Sequence, residues 1–247
     1  MRSSSAPRRP AARSDATEAR PGRRQEAGLG SSKALGDAAR VAAKAAQEVR
    51  IMGGQWKRTP LPVPVSAGLR PTPSRVRETL FNWLGQDLGG WRVLDAFAGT
   101  GALGWEAASR GAESVTLLER DAALVRSLKG VQARLKADQQ VQIQQADALA
   151  WMRQPTRHAG FDLVFLDPPF EDEAFDAALA AAAEVVVPGG WIYLEAPRPY
   201  GPVPPPKPAK GQQPAEHATQ PLPASLQLHR HGQAGAVHFH LFQRMAG

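Results

Sequence analysis

The chain has 247 residues, 43% of them hydrophobic and 21% charged, a net charge of +7 and no cysteine. That is enough apolar material for one large core or two small ones, and it excludes disulfides, Cys-ligated zinc and thiol chemistry. No run nears the roughly 20 apolar residues that span a bilayer, and the Arg/Ser-rich start lacks the apolar stretch of a signal peptide, so a cytoplasmic protein is expected.

The charge is uneven: residues 1–50 carry 11 Lys/Arg against 5 Asp/Glu. Residues 1–49 have no aromatic side chain. They cannot bury enough surface to offset the entropy of ordering, and are expected to form a disordered basic tail. Residues 50–90 form an arm and a helix. From Ile51 to Pro64, Gly53-Gly54 and three prolines suggest a short hairpin or extended arm. Thr72-Pro73 reads as a helix N-cap followed by proline at the first helical position. Val76, Leu80, Trp83 and Leu84 then recur at helical spacing, with Arg75, Glu78, Thr79 and Asn82 on the other face. Residues 51–92 hold six basic residues against two acidic ones. This excess is either a phosphate-contacting surface or a solvated patch. Lys57, Arg58, Arg70, Arg75 and Arg77 are the candidate phosphate contacts, although Arg75 and Arg77 could instead pair with Glu78 or Asp87.

Residues 91–247 read as alternating strands and helices. The strands are Arg92–Ala98, Ser114–Glu119, Val141–Gln145, Phe161–Asp167 and Gly190–Glu195. Helices are expected over Ala102–Arg110, Ala122–Ala137, a short turn at Ala148–Met152, and Ala174–Val185. Near-continuous apolar strands separated by helices indicate a doubly wound α/β sheet covered on both faces. Residues 197–223 form a proline-rich loop, and Leu226–His231 with Ala236–Arg244 a terminal β-hairpin. His229, His231, His238 and His240 lie at alternating positions of that hairpin. We read them as a solvent-facing strand surface in preference to a metal site.

Two turns carry the chemistry. The first is Asp95-Ala96-Phe97-Ala98-Gly99-Thr100-Gly101, where Gly99 and Gly101 let the backbone approach a ligand and the next helix offers free N–H groups. Those donors suit the carboxylate of S-adenosylmethionine, and Asp95 suits its ammonium group. Glu119 closes the second strand, in a position to bond ribose hydroxyls. Asp147 follows the third strand, as an acceptor for the adenine amine, a helix N-cap, or both. Asp95, Phe97, Gly99, Gly101, Glu119 and Asp147 are thus the candidate cofactor residues. A dinucleotide site matches the glycine spacing, but leaves the second turn, Asp167-Pro168-Pro169-Phe170, unexplained.

The exocyclic amine of a base is a weak nucleophile because its lone pair is delocalised. The Asp167 carboxylate and the Pro168 carbonyl can accept its hydrogen bonds, with Pro168 and Pro169 stiffening the turn and Phe170 stacking on the ring. Asp167 can also accept the departing proton. No metal is required. The target base must be unpaired or flipped out of a helix. These residues do not separate guanine from adenine, so an adenine-N6 methyltransferase of DNA or RNA stays open. A ribosome-assembly factor that binds RNA and keeps only a relic of the cofactor site is a further alternative, against which the intact glycine turn and Asp167 argue.

The runs Arg50-Ile51-Met52-Gly53-Gly54-Gln55-Trp56, Gly68-Leu69-Arg70-Pro71-Thr72 and Arg75-Val76-Arg77-Glu78-Thr79-Leu80-Phe81-Asn82-Trp83-Leu84 resemble the bacterial RsmD family. Asp95–Leu103, Phe165–Phe170 and Gln243-Arg244 are similar to it too. The resemblance covers roughly residues 50–247 apart from the proline-rich insert. It implies a class I, Rossmann-like, S-adenosylmethionine-dependent methyltransferase fold over 91–247, with a seven-stranded, mostly parallel sheet and an antiparallel last strand. It implies methyl transfer to the exocyclic N2 of one guanine of 16S ribosomal RNA, guanine 966, by a protein expected to be a cytoplasmic monomer. It also places Gly99, Gly101, Glu119 and Asp147 in cofactor positions and Asp167–Phe170 in the catalytic motif. The basic tail and the insert depart from the family's pattern.

Overall fold

In the computed structural model, residues 48–64, 72–154, 160–169, 172–204 and 219–246 are described. The tail up to residue 47 and the middle of the proline-rich loop lie outside them. The arm is a small antiparallel ribbon, β1 (Glu48–Arg50) against β2 (Pro60–Pro62). The first strand thus begins inside the stretch read as tail. Helix α1 (Ser74–Leu84) follows.

The body runs β3 (Arg92–Asp95), α2 (Ala102–Ser109), β4 (Ser114–Glu119), α3 (Ala122–Leu135), β5 (Val141–Gln145), α4 (Ala148–Met152), β6 (Phe161–Leu166), α5 (Asp172–Val185), β7 (Val186–Ala196), β8 (Leu226–Ala234) and β9 (Val237–Arg244). The sheet order is β5-β4-β3-β6-β7-β9-β8. The first five strands are parallel, and β9 is antiparallel to both β7 and β8. Strand order reverses between β3 and β6, which is where such sheets bind ligands, beyond the carboxyl ends of the strands.

Side chains alternate across each strand, so neighbouring residues enter opposite cores. Val93, Leu117, Leu163, Phe165, Tyr193 and Leu241 pack on one face with α1, α2, α3 and the arm. Leu94, Leu118, Val164, Leu166, Ile192, Leu194 and Phe242 pack on the other with α4 and α5. Both faces are covered, which is why the strands read as continuous apolar runs.

Several expected boundaries shift for identifiable reasons. Strand β3 stops at Asp95, because the chain turns there into the glycine-rich loop. Helix α3 starts where Asp121 accepts hydrogen bonds from the N–H groups of Ala123 and Leu124, and it ends early at Lys136, whose φ is +53°. Strand β7 begins at Val186, directly after α5. Helix α1 has Pro73 at its N-cap and no side-chain cap, so Thr72 is not the cap residue. The histidine expectation fails for His238 and His240. Strand β9 lies inside the sheet between β7 and β8, and both rings are buried. His240 accepts the Tyr200 N–H at 3.0 Å, and burial drives its pKa down to about 3.

Candidate active site

A cavity of about 530 Å³ opens over the carboxyl ends of the five parallel strands. Each strand delivers a carboxylate to it. Asp95 ends β3, Glu119 ends β4, Asp147 follows β5, Asp167 follows β6, and Glu195 is the penultimate residue of β7. By sheet order they line up as Asp147, Glu119, Asp95, Asp167 and Glu195.

The glycine-rich turn is locked by its own bonds. The Gly101 N–H donates to the Ala98 carbonyl at 2.6 Å, and Gly101 adopts φ +75°, a conformation that favours a residue without a Cβ. Glu119 accepts the Gly99 N–H at 2.9 Å and the Asp121 N–H at 2.8 Å, which ties the turn to β4. Asp95 Oδ2 accepts the Gly104 N–H at 2.9 Å. The N–H groups of Ala102 and Leu103, in the first turn of α2, have no intrahelical acceptor, and both residues line the cavity. Asp147 both lines the cavity and caps α4, accepting the Ala150 N–H at 2.8 Å.

Toward β7 the carboxyl groups are held above their ordinary pKa values. Burial pushes the Asp95 pKa up to about 7; the Gly104 N–H opposes this, Glu119 adds to it, and the Phe97 N–H also opposes it. Asp167 is held well above the usual carboxylate range by desolvation and then by the charges of Glu195 and Asp95. Glu195 is raised by burial, against hydrogen bonds from the Thr72 hydroxyl and the Tyr193 hydroxyl, the latter at 2.9 Å.

The sequence-predicted residues Asp95, Phe97, Gly99, Glu119, Asp147, Asp167, Pro168 and Pro169 all line this one cavity, and Gly101 sits in the turn beside it. Phe170 and Arg70 lie outside the described residues. Sequence reasoning missed Glu195, Tyr193 and Thr72. The available signal was that Glu195, like Glu119, is an acid at a strand end.

The basic residues divide. Lys57, Arg58 and Arg75 are exposed. Arg77 is only 2% exposed and is not a surface contact. Its guanidinium lies 3.6 Å from Glu106 and donates to the Arg50 carbonyl at 3.0 Å. The expected partners Glu78 and Asp87 are both exposed, whereas Glu106 is fully buried. Glu106 also accepts Arg110 at 2.7 Å and the N–H groups of Met52 and Gly53 at 2.7 and 2.8 Å. Gly54 packs so tightly on the Ser109 carbonyl that a Cβ would come within 1.7 Å of its oxygen. The arm is thereby fastened to α2, the helix that follows the glycine-rich turn.

The profile of the family described as Conserved hypothetical protein 95 matches residues 49–210. The ribosomal RNA small subunit methyltransferase D of Escherichia coli (strain K12) is 38% identical over 206 residues, covering 81% of this chain and 91% of that protein. The protein of the same description from Haemophilus influenzae is 43% identical over 151 residues, covering 60% and 78%. Among solved structures, the putative methyltransferase yhhF from Escherichia coli superposes with a TM-score of 0.64 at 35% identity, covering 81% of this chain and 99% of that one. The sheet order and these neighbours establish the class I methyltransferase fold.

Proposed function

The chain belongs to the family described as Conserved hypothetical protein 95, the RsmD family, and from that premise we propose that it methylates the exocyclic N2 of a guanine in 16S ribosomal RNA, at position 966. The observation that carries the reading is that the Asp95–Gly101 turn and Asp167–Pro169 line a single cavity. That cavity has the size of a small-molecule site.

The residues present fit S-adenosylmethionine, which supplies an electrophilic methyl group on a positively charged sulfur. The N–H groups of Ala102 and Leu103 suit its carboxylate. Asp95 suits its ammonium group, whose charge favours the ionised acid. Glu119 keeps lone pairs for the ribose hydroxyls after accepting two backbone N–H groups, and Asp147 faces the adenine end. On the substrate side, Asp167 and the Pro168 carbonyl accept hydrogen bonds from the guanine amine, so its nitrogen can pyramidalise toward the methyl group. Positioning supplies most of the acceleration. Once the N–C bond has formed, the nitrogen sheds a proton to Asp167, whose raised pKa makes it a better acceptor than an ordinary carboxylate.

The guanine must leave any helix to reach this cavity. Lys57, Arg58 and Arg75, exposed on the arm and α1, are the phosphate contacts of this reading. The protein acts as a cytoplasmic monomer on RNA. Among the described residues, no helix is long and apolar enough to cross a membrane.

The test is labelled-methyl transfer onto small subunits from cells lacking this protein, followed by nucleoside analysis. The expected label is in N2-methylguanosine. Label in adenine or in protein, or RNA binding without transfer, overturns the reading.

A further inference from the structure

Glu195 is an acid that the cofactor and catalytic motifs leave unassigned. It sits at the end of β7, one strand beyond Asp167. Leu166 and Leu194 are paired in the parallel register, so the residues that follow them, Asp167 and Glu195, lie side by side. Neighbouring strand ends are roughly 5 Å apart, close enough for two carboxylates to meet one base edge. Glu195 is 7% exposed, yet it lines the cavity together with Thr72, Pro73 and Val237 at the end away from Glu119 and Asp147.

Its neighbours on this side carry hydroxyls. Tyr193 donates to Oε1 at 2.9 Å, and the Thr72 side chain also acts to hold the pKa of Glu195 down. Tyr193 is fully buried, and its hydroxyl proton is held firmly by burial and by Glu195. These donors fix the carboxylate in place and favour its ionised form against desolvation. Ionised, it can only accept, and it retains lone pairs beyond those the two hydroxyls use.

The Watson–Crick edge of guanine presents three N–H bonds, one on N1 and two on N2. Adenine presents two on N6 and a bare lone pair on N1. We propose that Glu195 is the specificity-determining residue for guanine: it accepts the N1–H while Asp167 and the Pro168 carbonyl hold the N2 amine. Adenine in the same pose would set its N1 lone pair against a buried carboxylate. Sites built around a hydrogen bond reject analogues lacking it far more strongly than sites built around shape. Thr72 and Tyr193 are positioning residues that aim Glu195. This inference rests on the guanine reading above.

The experiment compares RNA carrying guanine at the target position with RNA carrying 2-aminopurine there. The analogue keeps the 2-amino group but has no N1–H. The wild type is expected to prefer guanine by about 10²-fold or more in kcat/KM. Glu195→Gln, whose amide can donate to a bare N1, is expected to lower the rate on guanine and to collapse the preference to within about tenfold. Its affinity for S-adenosylmethionine, measured by calorimetry, should match the wild type. Tyr193→Phe and Thr72→Val are expected to reduce the preference several-fold, and they carry the test if Glu195→Gln fails to fold. An unchanged preference in these variants overturns the proposal, as does a loss of cofactor binding confined to Glu195→Gln. A wild type that binds the cofactor but labels no guanine sinks the functional reading itself, a distinguishable failure.

Discussion

Helix α2 touches two buried charge clusters that differ in composition. On its arm-facing side, Glu106 is met by two guanidinium groups, Arg77 and Arg110, and by two backbone N–H groups. On its sheet-facing side, its Gly104 N–H meets Asp95, beyond which come Asp167 and Glu195, and the charges that perturb Asp167 are carboxylates. The lining of the whole cavity includes six acids against Arg120. Charge matched inside the chain is spent on folding and fixes the arm. Charge left unmatched is poorly tolerated by the protein alone and well suited to a cationic ligand and an amine.

The largest expected effect lies in the unmatched cluster. Asp167→Ala should lower kcat for methyl transfer by about 10³-fold, with the affinity for S-adenosylmethionine held within about threefold. The sign of the pH dependence follows from the proposed role, in which Asp167 accepts as a carboxylate, and from its raised pKa. Activity should therefore climb with pH through a midpoint above the ordinary carboxylate range, and Asp167→Ala should abolish that limb. Transfer assays across pH, alongside calorimetry, decide this.

The matched cluster should respond in stability. Glu106→Ala strands two buried or nearly buried guanidinium groups, and truncating one partner of a buried pair costs about 3–5 kcal/mol. The transition in denaturant should shift by that amount. A shift below about 1 kcal/mol would mean that the cluster is not balanced as described.

Asp95 should behave in the opposite way. Its pKa of about 7 lies above the ordinary 3.8, so the folded state favours the protonated acid. The stability this contributes is fully present below about pH 4. It is lost as pH rises through about 7, a difference of at most roughly 4 kcal/mol. Asp95→Asn cannot ionise. It should be more stable than the wild type at pH 8, lose that advantage at pH 4, and bind S-adenosylmethionine more weakly at both. Denaturant melts at the two pH values check the sign.

The same division explains what could be read from the sequence. Asp95, Glu119, Asp147 and Asp167 announce themselves locally, each at the end of an apolar run or just after it. Glu195 does too, but its importance depends on β7 lying beside β6, and strand order is not a local property. Thr72 resembles an N-cap because Pro73 and a helical pattern follow it. Only the assembled sheet brings Glu195 to its hydroxyl. Arg77 sits three residues before Leu80 and seven before Leu84, on the apolar face of α1, but its charge makes it read as surface. Its burial depends on Glu106, on a helix beyond the first body strand, and on the arm that folds between them. The alternating strands and helices were legible because burial on both faces leaves no polar stripe to confuse the pattern.

The smallest expected effect separates the two kinds of arginine. Arg58 is exposed and holds φ at +71°, an uncommon conformation for a residue with a side chain. Its backbone is fixed from both ends: its N–H donates to the Ile51 carbonyl at 2.7 Å, and its carbonyl accepts from Arg50 at 3.3 Å. Arg58→Gly removes the guanidinium and relieves the backbone, while adding freedom to the unfolded chain. The net change in stability should lie between about 0 and +1 kcal/mol. If Arg58 meets a phosphate, the slope of log affinity for RNA against log salt should become shallower by about 0.7–0.9. Arg77→Ala should do the reverse, losing stability while keeping the slope per folded molecule. A salt slope unmoved by Arg58→Gly would remove this residue from the RNA surface, and an Arg77→Ala variant of full stability would undo the division between matched and unmatched charge.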